Sequence, residues 1–173
     1  MKREILFTHA EIQQRVIEIS SKIEKDYIDK ESPIMVCVLN GGVFFFTDLC
    51  KNINMFNFKI DFIRASSYGT QMTSSGFIKF TKDVDYNIKG KTIIVVEDII
   101  DNGLTMYHII RRLKRDGAKE VKVCALISKT IRRKYEVNID YCGFEINDGF
   151  LIGYGMDNKE YERNLNHIYI LKD

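Results

Sequence analysis

The sequence predicts an α/β fold in which helices flank a parallel β-sheet. Three observations carry this. The runs Ile34–Leu39, Thr92–Val96 and Val121–Ile127 are almost continuously apolar, as strands buried on both faces are. Segments of helical periodicity fall between such runs. The breaks after the first two runs are Asn-Gly sequences that punctuate a strand before a helix. Alternation of strand and helix at these lengths implies parallel strands joined by crossover helices.

Each element has its own local reason. Thr8-His9-Ala10-Glu11 has capping-box spacing, and Ile12, Val16, Ile19 and Ile23 follow on one helical face, predicting a helix from about 9 to 26. Pro33 precedes the first buried strand, Asn40-Gly41-Gly42 ends it, and Val43–Cys50 reads as the next helix. Phe58, Ile60 and Phe62 alternate with Lys59 and Asp61, giving a strand. Ser66–Gly76 is polar and aperiodic, a loop, with Phe77–Phe80 as a short returning strand. Asn87–Lys91 is a turn into the Thr92–Val96 strand. Thr105–Asp116 is a helix closed by Gly117, and Val121–Ile127 is the fourth strand. From about Asp140 the chain reads as short strands and turns. With the chain ends, these form a small hood or lid on one domain spanning 1–173.

Composition excludes several classes. Net charge is +2, with 26 basic and 24 acidic residues, which does not mark a dedicated nucleic-acid binder. No segment approaches the roughly 20 apolar residues of a membrane helix. The start Met1–Thr8 lacks the apolar core of a signal peptide, so a cytoplasmic protein is expected. Cys37, Cys50, Cys124 and Cys142 are too dispersed for a metal knuckle and read as thiols in a reducing compartment. His9, His108 and His167 show no ligand spacing.

The strongest chemical signal is Val95-Val96-Glu97-Asp98-Ile99-Ile100-Asp101-Asn102-Gly103-Leu104-Thr105. A buried strand runs into acids, then a turn, then a helix, at the strand end where open parallel sheets bind ligands. Asn-Gly permits close backbone approach. The free amides of the new helix attract an anion, and the Thr105 hydroxyl suits a phosphate or a helix cap. Three carboxylates, Glu97, Asp98 and Asp101, crowd together, which is unfavourable unless a metal or ligand hydroxyls compensate. Acids beside phosphate-binding amides suit a sugar phosphate. From turn chemistry alone, a capped βα connection with exposed acids remains open.

Val-Val-Glu-Asp-Ile-Ile-Asp-x-Gly-x-Thr resembles the phosphoribosyl-pyrophosphate signature of the purine phosphoribosyltransferases, most closely the hypoxanthine-guanine type. The matches continue in order through Leu39–Phe45, Ser66–Gly69, Lys129, Gly143–Ile146, Phe150–Asp157 and Glu160–Leu165. The resemblance implies transfer of a phosphoribosyl group to hypoxanthine, and guanine with it, aided by Mg²⁺, in a homodimer or homotetramer. It implies Asp101 as general acid/base near the purine N7. Glu97 and Asp98 would meet the ribose hydroxyls and, with Asp157, the metal. Asn102, Gly103, Leu104 and Thr105 would hold the 5′-phosphate. Leu39, Asn40 and Gly41, joined in the family by a non-proline cis peptide, and Arg163 would address pyrophosphate. Lys129 would bond the purine O6, Phe150 would stack on the base, and Leu151 would meet its edge. Ser67 and Tyr68 belong to the loop that would close over the ligands.

The chain departs from the family at three positions: Asn40 stands where a Lys or Arg is common, Asn102 where Thr or Ser is usual, and Leu104 where Lys is frequent. Two further readings compete. Arg111, Arg112, Lys114 and Arg115, with Arg132, Arg133 and Lys134, could make an RNA-binding regulatory protein of the same fold. An orotate- or adenine-type transferase is disfavoured by Lys129 and the tail Phe150–Asp157.

Overall fold

Thr8 starts the first helix as its sequence requires. Its side chain accepts from the Glu11 amide at 3.3 Å, and the Glu11 carboxylate accepts from the Thr8 amide at 2.8 Å. The helix is α1, His9–Tyr27, preceded by β1, Lys2–Phe7. There follow β2 Ile34–Val38, α2 Val43–Asn52, β3 Lys59–Ser67, β4 Ile78–Lys82, β5 Thr92–Ile100, α3 Leu104–Arg115 and β6 Glu120–Lys129. The chain ends with β7 Tyr141–Ile146, β8 Phe150–Ile152 and β9 Ile168–Lys172. This is a computed structural model, which describes residues 2–54, 57–67 and 78–172. The predicted loop tip Tyr68–Gly76 and Phe77 lie outside the described residues.

The central sheet has the order β4-β3-β2-β5-β6-β7, parallel except for the edge strand β4. Period-2 alternation divides each central strand between two cores. Ile94 and Val96 face α1 and α2, together with Met35, Cys37 and Phe45. Ile93 and Val95 face α3, together with Met106, Ile109 and Leu113. The expected face of α1, Ile12, Val16, Ile19 and Ile23, is buried in the first core. The four cysteines are free. Burial pushes the Cys50 thiol up to about 12 and raises Cys37 and Cys124 as well, so these thiols are inert packing groups. No described helix is long and apolar enough to cross a membrane.

Besides β3, which pairs with β4 through Ser67 where a loop is expected from Ser66, and β6, which continues to Lys129, three boundaries differ from the sequence expectation. β2 stops at Val38, one residue before the expected end at Leu39. β5 does not end at Val96 but runs to Ile100, since β6 keeps pairing with it through Ile100↔Ser128. The third difference concerns the region after Asp140. Its first strand, β7, is not part of the hood but pairs in parallel with β6 as the sheet's sixth strand. The hood itself is the separate antiparallel sheet β1-β9-β8, made from both chain ends as expected. Arg3 on β1 pairs with Glu162, fastening the hood to the tail.

Candidate active site

The site lies where β2, β5 and β6 end and the hood meets the sheet. β5 and β6 deliver Asp101 and Lys129 to adjacent strand ends. Lys129 Nζ donates to Asp101 Oδ2 at 3.0 Å, and Asp101 Oδ1 is buried with no partner among the described residues. Lys129 is only 6 % exposed, so it is not the solvated surface lysine its isolated position would permit.

The turn after Asp101 is shaped by Gly103, whose φ of 85° is left-handed. A Cβ there would also lie 2.7 Å from the Tyr135 carbonyl oxygen. Gly103 is the N-cap of α3, so Thr105 does not cap the helix; it lies inside the first turn and lines the cleft. Asn102 Oδ1 accepts from the Leu104 amide at 2.9 Å. The departure at 102 therefore provides a self-made acceptor for an amide at the helix start.

Glu97 and Asp98 are buried although strongly polar. Burial raises the Glu97 carboxyl well above its ordinary value, and the neighbouring Asp98 charge adds to this. Burial also raises Asp98, partly offset by hydrogen bonds from Glu97 and the Ile99 amide and by the Arg163 charge. Because Glu97 holds its proton more tightly folded than unfolded, its contribution to stability is lost as pH rises above the unfolded carboxylate range. In metal-free protein, Glu97→Gln should therefore raise the unfolding free energy at pH 8 by roughly 1–3 kcal/mol, with little gain at acidic pH. Urea unfolding in EDTA at both pH values measures this; identical pH slopes for the two proteins would rule it out.

The Leu39-Asn40 peptide is cis, as the resemblance implied. Gly41 follows so closely on Asp98 that a Cβ would lie 2.1 Å from Asp98 Oδ2. From the hood, Gly155 packs against the same loop, and a Cβ there would lie 2.0 Å from the Gly41 carbonyl oxygen. Arg163 Nη1 donates to the Gly155 carbonyl at 2.7 Å, and Arg163 Nη2 lies 2.9 Å from Asp157 Oδ1. Behind this turn, Tyr154, at a φ of 48°, is held by Asp48 on α2, with a hydroxyl–carboxylate distance of 2.5 Å.

Two cavities result. One, of about 320 Å³, is walled by Leu39, Gly41, Glu97, Asp98, Thr105 and Arg163. The other, of about 550 Å³, is walled by Lys129, Arg132, Phe150, Leu151 and Met156. They meet along Asp98, Ile99, Asp101 and Asp157, which border both. Phe150 is 52 % exposed, so it is a cavity wall and not a core ring. Of the predicted residues, Tyr68 lies outside the described residues and Ser67 ends β3. Asn40 precedes Gly41 in the loop but is not among the residues bordering the first cavity. Among the described residues no three acidic, histidine or cysteine side chains cluster as a ready-made metal cage.

Arg133 was read from the sequence only as part of a basic cluster. It is turned inward instead, donating to the carbonyls of Ile100, Asp101 and Lys129 and to the Ser128 hydroxyl. Only its place four residues after Lys129 signalled this, and that is ambiguous without the fold. Of the other basic residues, Arg112 pairs with Asp83 and Asp116, Arg115 with Asp116, and Arg132 with Asp148. Arg111 lies over the Tyr107 ring. Four of these cations are thus engaged with neighbours on the protein itself.

The family described as "phosphoribosyl transferase domain" matches residues 2–159. A hypoxanthine-guanine-xanthine phosphoribosyltransferase of Tritrichomonas foetus is 44 % identical, the match covering 98 % of this chain and 91 % of its own. A hypoxanthine-guanine phosphoribosyltransferase of Aquifex aeolicus is 41 % identical over 99 % of this chain and 96 % of its own. Among solved structures, a hypoxanthine-guanine phosphoribosyltransferase of Bacillus anthracis superposes with a TM-score of 0.91 at 40 % identity, covering 98 % of each chain.

Proposed function

This chain belongs to the phosphoribosyl transferase family, as a relative of its hypoxanthine-guanine enzymes, and from that premise we propose that it serves purine salvage. It transfers the 5-phosphoribosyl group of phosphoribosyl pyrophosphate to hypoxanthine and guanine, giving the nucleotide and pyrophosphate. The observation that carries this reading is the meeting of two unlike cavities at Asp101. One offers acids, helix-start amides and an arginine, as a sugar phosphate needs. The other offers a lysine donor and an exposed aromatic ring, as a 6-oxopurine needs.

The roles follow from the chemistry. The amides of Asn102, Gly103 and Thr105, with the Thr105 hydroxyl, hold the 5′-phosphate, while the Leu104 amide is taken by Asn102 Oδ1. Glu97 and Asp98 hold the ribose hydroxyls. Arg163 and the Leu39–Gly41 loop face the pyrophosphate, whose negative charge grows as it departs. Asn40 brings no cationic side chain to that loop, so Arg163 is its chief cation. Lys129 donates to O6, Phe150 stacks on the ring, and the Leu151 backbone meets the base edge. Asp101 holds the proton that moves at N7: its Oδ1, unpartnered among the described residues, is an acceptor beside an oxygen already held by Lys129.

The buried and crowded Glu97 and Asp98, of which Asp98 is partly offset by the Arg163 charge, suit a divalent cation, and we assign Mg²⁺ to them and to Asp157. Among the described residues these three carboxylates do not cluster as a ready-made cage, so one or two of them at a time would hold the ion, together with substrate oxygens. When bound, it would neutralise charge developing on the pyrophosphate. The resemblance also favours a homodimer or homotetramer, which sedimentation of the pure protein decides.

The deciding experiment is a base panel. The protein is incubated with Mg²⁺ and phosphoribosyl pyrophosphate and offered hypoxanthine, guanine, xanthine or adenine. Nucleotide should form with hypoxanthine and guanine and not with adenine, whose 6-amino group gives the Lys129 ammonium no carbonyl to bond. Absence of turnover with every 6-oxopurine refutes the reading.

A further inference from the structure

Arg133 itself lines neither cavity, yet one guanidinium gathers the ends of both strands that carry the central pair. Its Nε donates to the Asp101 carbonyl at 3.1 Å. Its Nη2 lies 3.3 Å from the Ile100 carbonyl, 3.1 Å from the Lys129 carbonyl and 2.9 Å from Ser128 Oγ. Ile100 closes β5 and Asp101 follows it directly, and Ser128 and Lys129 close β6. The regular ladder between these strands stops at Ile100↔Ser128. Beyond that point no ladder bond fixes the separation of Asp101 from Lys129, and Arg133 takes over where the ladder ends.

The same segment braces the phosphate turn. The amides of Lys134 and Tyr135 both donate to the Asn102 carbonyl at 3.0 Å. The Tyr135 carbonyl lies against Gly103, and its ring packs on Tyr107 of α3, with centroids 5.4 Å apart. The turn therefore has its own supports, independent of the guanidinium.

We infer that Arg133 is a positioning residue for the phosphoribosyl transfer proposed above, acting through the backbone to hold the Asp101 carboxylate and the Lys129 ammonium in register on the purine. This rests on that reading of the site. The Nε and Nη2 groups of one rigid guanidinium plane reach four acceptors at two strand ends, one Nη2 hydrogen being shared; a lysine, a point charge on a flexible stem, cannot hold that fixed geometry. Loss of the fork should let the strand ends drift, and a misplacement of about 1 Å can cost about 100-fold in rate.

The test compares the wild-type protein with Arg133→Lys and Arg133→Ala, using hypoxanthine and phosphoribosyl pyrophosphate with Mg²⁺, and near-ultraviolet circular dichroism to verify folding. For Arg133→Lys, kcat should fall by about 10–100-fold. The Kd for phosphoribosyl pyrophosphate should change by less than about threefold, because Glu97, Asp98, Arg163 and the Asn102–Thr105 amides keep their supports. If Arg133→Ala folds, it should lose at least as much in kcat with the same split. Folded variants whose kcat stays within twofold of wild type overturn the inference. So do parallel loss of kcat and of phosphoribosyl-pyrophosphate binding, or failure of both variants to fold, since either makes the arginine a general support of the fold. A wild-type protein inactive on every 6-oxopurine overturns the proposed function itself, whatever the variants do.

Discussion

Asp101→Asn is expected to lower the single-turnover rate of nucleotide formation by about 100- to 10,000-fold, while the Kd for phosphoribosyl pyrophosphate stays within about threefold. The replacement is isosteric, so the turn that follows should persist: Gly103 keeps its left-handed φ and Leu104 keeps its acceptor on Asn102. What is lost is a carboxylate with one oxygen on Lys129 and the other free. An amide offers one acceptor and cannot take up or return the purine proton. It also leaves the Lys129 ammonium buried with a weaker partner, which adds to the cost on the base side. Single-turnover measurement matters, because product release limits the steady state of many enzymes and would mask the chemical step. Equal loss of rate and of phosphoribosyl-pyrophosphate affinity would make Asp101 a binding residue and sink this assignment.

The second large effect concerns a glycine in the hood. Gly155→Ala combines two penalties. Its φ of 101° lies where side chains are strained, and the new methyl would lie 2.0 Å from the Gly41 carbonyl oxygen. That neighbour is backbone, so relief requires the hood turn or the pyrophosphate loop to move. The expected cost is roughly 2–5 kcal/mol, with at least about tenfold weaker phosphoribosyl-pyrophosphate binding, because Gly155 also accepts from Arg163. Gly90 provides the control. Its φ is 73°, but a Cβ there would meet nothing within 4 Å. Gly90→Ala therefore isolates the strain, worth about 1 kcal/mol. If urea unfolding gives the two variants the same loss, the close approach of hood and loop is not a constraint.

The contrast between these glycines separates what a motif conveys from what packing conveys. Both stand in turns, and composition does not distinguish them. Only the fold brings residue 155 onto residue 41, more than a hundred positions away. The same holds for Arg133. Its four acceptors lie on two strands that become neighbours through the crossover α3. In the sequence it is one of three consecutive basic residues. β7 departs from the sequence expectation for a related reason. Tyr141–Ile146 is short and only partly apolar, so local pattern could not say which sheet it joins; the free edge of β6 decides that.

By itself, the sequence determined the buried strands, the amphipathic and capped helix α1, the order of elements and the turn from Glu97 to Thr105. These are local properties. Period-2 and helical patterning, Asn-Gly chemistry and a run of acids before a helix start act over a few residues and need no distant partner. Tertiary structure alone decided the pairing of Asp101 with Lys129, the inward turn of Arg133, the contact of Gly155 with Gly41 and the separation of the site into two cavities meeting at one carboxylate. Each of these depends on which strand ends lie side by side and where the hood folds over them. The cost of bringing such segments together is met by the shared sheet and its two cores, so their contacts are set by the whole fold and not by the residues that make them.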